Sequence, residues 1–168
     1  MSTNTSTATT FTVETIAEQD LDRARGGGLD VSGNPVAHVT LAGGEPLRCC
    51  LRDAEPGEAA ILFGYEPQLP ASPYREIGAV FAHATACAGP ESQTGYPTAW
   101  RGRPQVLRAY DRRGWIHTAR VHDGDDPESA IGELLADPAV EQIHSRNVAY
   151  GCYMFTIRRM ASSAARAE

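Results

Sequence analysis

One short stretch of this chain carries a helical apolar period with both of its ends marked. Asp126 stands as an N-cap with Pro127 at the first helical position. Ala130, Ile131, Leu134 and Leu135 then recur as one stripe, and Pro138 closes the segment. Most of the remaining apolar sequence comes in runs too short for helices, cut by glycine, proline and aspartate. Such runs fall at 11–16, 36–41, 59–65, 77–82, 140–145 and 152–158, with a shorter one between Pro46 and the turn Glu55-Pro56-Gly57. The clearest hairpin joins 106–110 to 115–122 through Asp111-Arg112-Arg113-Gly114. A second, short helix is expected over 17–25, halted by Gly26-Gly27-Gly28. About eight strands and one firm helix define an α+β fold: a single domain over 11–160, mostly antiparallel, with the helix packed on one side of a curved sheet. Residues 1–10 and 161–168 read as tails.

Composition removes several function classes. All 15 basic residues are arginine and lysine is absent, so pyridoxal phosphate, Schiff-base and P-loop chemistries, each of which needs a lysine, are excluded. The net charge of −6 and the lack of a long basic stripe argue against nucleic acid. No apolar run approaches the roughly 20 residues of a membrane-spanning helix. The uncharged, Ser/Thr-rich residues 1–10 lack a secretory pattern, so a cytoplasmic location is expected, away from membranes. The cysteines Cys49, Cys50, Cys87 and Cys152 contain no C-x-x-C pair. On a strand, Cys49 and Cys50 would face opposite sides; free thiols are expected.

Polar residues concentrate in His144-Ser145-Arg146-Asn147 and the following Tyr150-Gly151-Cys152, just before the last strand. His144 is the candidate general acid–base group, assisted by Tyr74 or Tyr110, with Asn147 as a neutral donor. Cys50 and Cys152 are candidate nucleophiles, activated by His83 or His144 and by Arg48, Arg52 or Arg146. Arg48, Arg52, Arg108, Tyr110 and Asn147 would suit a small anionic substrate, because an arginine fork pairs bidentately with a carboxylate or phosphate. The alternative is a solvated sheet face with Arg108 paired to Asp53 or Glu58. The irregular stretch 85–104 carries Tyr96 and Trp100, which would close over a ligand or anchor the loop on the core. No metal or organic cofactor is expected. If a metal were held, His83 and Cys87, spaced i, i+4, would begin the site, with Cys50, Cys152 or His144 completing it.

The segments Arg48-x-Cys50-Leu51-Arg52-Asp53-Ala54 with Gly57-Glu58, Ser72-Pro73-Tyr74, Gly78-x-x-Phe81-x-His83-x-x-x-Cys87, Leu107-Arg108-x-Tyr110-Asp111 and His144-x-Arg146-Asn147-x-x-x-Gly151-Cys152 occur in this order. Together they resemble a small bacterial family catalogued as domain of unknown function 1203, from about Pro46 to Arg159. Leu47 stands where the family pattern favours cysteine, which weakens any thiol role there. The resemblance implies no catalytic residues. The leading functional expectation is a cofactor-independent small-molecule enzyme using acid–base chemistry (isomerase, cyclase, dehydratase or hydrolase) on a small anionic or polar substrate, with oligomers allowed. The alternatives are a non-catalytic ligand-binding or interaction module and a thiol-based redox or zinc-binding protein.

Overall fold

The computed structural model describes residues 10–160; the tails expected at 1–10 and 161–168 lie outside the described residues, Thr10 excepted. The strands are β1 (Phe11–Glu14), β2 (Ala37–Thr40), β3 (Pro46–Leu47), β4 (Arg52–Asp53), β5 (Ala59–Tyr65), β6 (Gly78–His83), β7 (Gln105–Tyr110), β8 (Ile116–His122), β9 (Gln142–Asn147) and β10 (Tyr153–Arg159). The helices are α1 (Glu18–Gly27) and α2 (Pro127–Leu135), with a 3-10 turn at Thr98–Trp100. The class is α+β. The strands divide between two open five-stranded sheets, β1-β10-β9-β7-β8 and β2-β5-β6-β3-β4, where the strand pattern had suggested one curved sheet. All pairings are antiparallel except β3 with β6.

The chain divides its core the same way. Ile131, Leu134 and Leu135 of α2 pack with Leu107, Ile143, Phe155 and Ile157 of the first sheet. Burying each such side chain stabilises the fold by about 1.5–3 kcal/mol relative to leaving it exposed. Asp126 caps α2 by accepting from the Ser129 amide at 3.1 Å. A second cluster gathers Ile61, Phe63 and Tyr65 of β5 with Val80 and Ala82 of β6 and Leu21 and Ala24 of α1.

Two local readings need correction. Helix α1 does not stop at Gly26 but runs through Gly27 and ends at Gly28, whose φ of +70° makes the left-handed cap that an L side chain resists. Arg25 pins that last turn by donating from Nε to the carbonyl of His83 at 3.2 Å. In β10, strict alternation would put Tyr153 beside Phe155 and Ile157. A register shift between Tyr153 and Phe155 instead sends Tyr153 to the second cluster. No helix among the described residues is long and apolar enough to cross a membrane.

Candidate metal centre

Cys49 and Cys50 are not on a strand. Residues 48–51 form a single turn closed by the Leu51 amide on the Leu47 carbonyl at 2.9 Å, with Leu51 itself left-handed at φ 55°. A buried, branched side chain in that conformation is strained, and such strain collects at functional sites. The turn lies between β3 and β4, beside the end of β6, because β3 pairs in parallel with β6 through Leu47 and Phe81. Its consequence is that both thiols reach the same imidazole. Cys49 Sγ lies 3.3 Å from His83 Nδ1, and Cys50 Sγ lies 3.8 Å from it. Cys87 approaches from the loop beyond β6. The ligating atoms of Cys49, Cys50, His83 and Cys87 all fall within 4.8 Å of one another. A tetrahedral zinc with Zn–S near 2.3 Å would space its sulfurs by roughly 3.8 Å, so the donors need move little to close on an ion.

The far side of the imidazole is equally defined. His83 Nε2 lies 3.2 Å from Glu58 Oε1, and Arg52 holds that carboxylate with two bonds of 2.9 and 2.7 Å. Arg52 Nη2 also lies 3.2 Å from Nε2; with a metal on Nδ1, Nε2 would carry the proton and donate to Glu58, the carboxylate–histidine arrangement that fixes a ligating imidazole. Arg52 foremost, then the Glu55 amide, holds the Glu58 carboxyl far below the usual range. The thiols are unequal: the hydrogen bond between them raises the Cys49 thiol, with burial adding to it, and lowers Cys50, with Arg52 assisting. Burial raises Cys87. None of the four cysteines is in a disulfide.

The other sequence candidates go elsewhere. His144 has no exposed surface; it sits between Tyr110, 4.7 Å away, and Tyr153, 5.5 Å away, with neither ring nitrogen hydrogen-bonded among the described residues. Burial, then Arg146, pushes its pKa down to about 3. Tyr110 is equally buried. Tyr74 lies at the surface against Trp115. Arg108 pairs with Glu76 at 2.7 Å rather than with Asp53 or Glu58, and Arg146 reaches the same carboxylate. Trp100 is no lid: it stacks on Phe155, and its Nε1 donates to Asp53 Oδ1 at 2.9 Å. The acid–base group His144, its proposed phenol Tyr74 and the nucleophile Cys50 therefore do not meet. Arg48, Asn147 and Cys152 do come together, on a hollow whose lining includes no histidine. The metal reading changes its members: Cys49 joins Cys50, His83 and Cys87, while Cys152 and His144 stay out.

A family model described as protein of unknown function (DUF1203) matches residues 44–159, a span containing all four candidate ligands. No curated protein and no solved structure matches the chain.

Proposed function

The chain belongs to the DUF1203 family, and from that premise we propose that it is a metal-binding protein whose centre is one zinc ion held by Cys49, Cys50, Cys87 and His83. The observation that carries this reading is the convergence of three sulfurs and one imidazole nitrogen, from segments far apart in sequence, within 4.8 Å. Thiolate and imidazole donors select zinc over the hard, oxygen-seeking cations. Four protein ligands leave no open coordination position, so the ion is structural: it ties the strained turn 48–51 to β6 and to the loop after it. Glu58 accepts from the ligating imidazole, and the guanidinium of Arg52 offsets the surplus negative charge of three thiolates around a divalent ion.

Cobalt substitution tests the ligand set. Titrating Co²⁺ into metal-free protein should produce a thiolate-to-cobalt charge-transfer band and tetrahedral d–d absorption, saturating at one equivalent. Cys152→Ser should leave both intact, while Cys49→Ser and Cys87→Ser should weaken the charge-transfer band. Octahedral spectra, or equal loss in Cys152→Ser, would reject the assignment. A second reading, reversible thiol oxidation, is favoured by the position of Cys50 on a cleft of about 500 Å³ with Thr94 and Pro97. It predicts a protein that binds no metal but in which Cys50 is alkylated ahead of the other thiols.

A further inference from the structure

Arg48 is a buried cation with no carboxylate of its own. It is 2% exposed, and no ion pair reaches it among the described residues. Its Nε donates to the Tyr153 carbonyl at 2.8 Å and its Nη1 to the Pro46 carbonyl at 2.5 Å, which joins the two sheets. Nη2 makes no hydrogen bond to the protein among the described residues and keeps some accessible surface. Asp53, the nearby carboxylate, is engaged by Trp100 and Arg103. Burial brings the guanidinium down to about 10, which leaves it charged at neutral pH. A buried charge lacking its counter-ion is costly, and an incoming anion would offset that cost.

That guanidinium borders a hollow of about 610 Å³, inside the roughly 300–1,000 Å³ of small-molecule sites. Part of the lining is apolar: Leu62 and Phe81, paired across β5 and β6, with Ala79 and Met154. Asn147 stands on the wall, its Oδ1 used on the Tyr150 amide, so its amide nitrogen is left to donate. The one carboxylate on the lining, Glu45, is turned into its own loop, where it accepts from the Ala42 and Gly43 amides at 3.1 and 2.9 Å. Positive charge from Arg48, with Arg103 on the same lining but paired to Asp53, and an apolar surface beside it describe a site for an amphipathic anion.

We propose that this hollow binds a small molecule with an anionic head, carboxylate or phosphate, on Arg48 and Asn147, and an apolar body on Leu62, Ala79, Phe81 and Met154. The site shares no lining residue with the cysteine cluster, although Arg48 opens the turn that carries Cys49 and Cys50. It gives Arg48 and Asn147 the anion-binding role expected of them, without the acid–base chemistry expected beside them.

Isothermal titration of the full-length protein with octanoate, octyl phosphate and octanol tests this. At least one of the two anions should bind saturably at one per chain, and octanol at least tenfold more weakly; the tighter head identifies the natural group. Arg48→Met should weaken the anion at least tenfold. That variant also removes the bonds to Tyr153 and Pro46, so a second one protects the test. Ala79→Trp fills the hollow from an exposed strand position, and should abolish binding with the circular dichroism spectrum and Tm unchanged. Absence of binding by both anions, octanol bound as tightly as either, or undiminished binding in a folded Ala79→Trp protein would overturn the proposal.

Discussion

The sulfur of Cys49 lies 3.3 Å from Nδ1 of His83, although 34 residues of chain separate them. The same histidine donates from its backbone amide to that sulfur, also at 3.3 Å. Cys49 is therefore gripped from both the strand and the side chain of one residue, and Cys50 and Cys87 complete the group.

Removing the metal should destabilise the fold. Zinc at a free concentration 1,000 times its Kd stabilises by about 4 kcal/mol. At roughly 2–4 °C per kcal/mol for a chain of this size, a chelator should lower Tm by about 10 °C. Scanning calorimetry with and without chelator measures this, and zinc added back should restore the transition.

Glu58→Gln keeps the shape at the imidazole but removes the charge. Such second-layer changes weaken metal binding about 10- to 100-fold. The stoichiometry at saturating zinc should stay at one, with the loss confined to affinity in a competition titration against a chromophoric chelator. Loss of stoichiometry would indicate that Glu58 is itself a ligand.

The sequence disclosed the hairpin β7–β8 and the helix α2 because their signals are local: an Asp111–Gly114 turn and an Asp126-Pro127 cap need no knowledge of the rest of the chain. The thiol turn was hidden for the opposite reason. Cys49-Cys50-Leu51 contains no glycine or proline, and the positive φ that closes it is carried by a leucine, so the stretch reads as a strand with its thiols on opposite faces. The sequence alone therefore offers no reason to group Cys49 with the others, whereas the i, i+4 spacing of His83 and Cys87 marks two of the four residues that cluster. His144 drew attention by its polar neighbours Ser145, Arg146 and Asn147. The pairing of β9 between β7 and β10 buries it, and no pattern within one strand announces that. Arg48 and Asn147 read as candidate anion ligands by residue type. Their shared hollow depends on contacts between the two sheets, which periodicity does not encode.

Burial of His144 has a pH signature. Its folded pKa of about 3 lies below the unfolded value near 6.5, so the unfolded state takes up the proton first. The stability it supports is complete above about pH 6.5 and falls as the pH drops toward 3, at most by about 1.4 kcal/mol per pH unit. His122, lowered by its own burial, acts in the same direction. Denaturant titrations between pH 6.5 and 4.5 should show a shallower slope for His144→Leu than for the parent. Equal slopes would place the imidazole in contact with solvent.

Trp100 anchors the stretch 85–104. Trp100→Ala opens a cavity against Phe155 and frees Asp53, and should cost about 3–5 kcal/mol of stability. A lid residue would instead leave the denaturation midpoint in place. Urea unfolding distinguishes the two.

Native mass spectrometry of the full chain, purified without chelator and then incubated with one equivalent of zinc, tests the metal centre most directly. The account predicts a single species carrying one zinc, reduced to the metal-free mass by His83→Ala or Cys87→Ala and unaffected by Cys152→Ala. A chain that stays metal-free in zinc, or that keeps its zinc when His83 and Cys87 are both replaced, would contradict it.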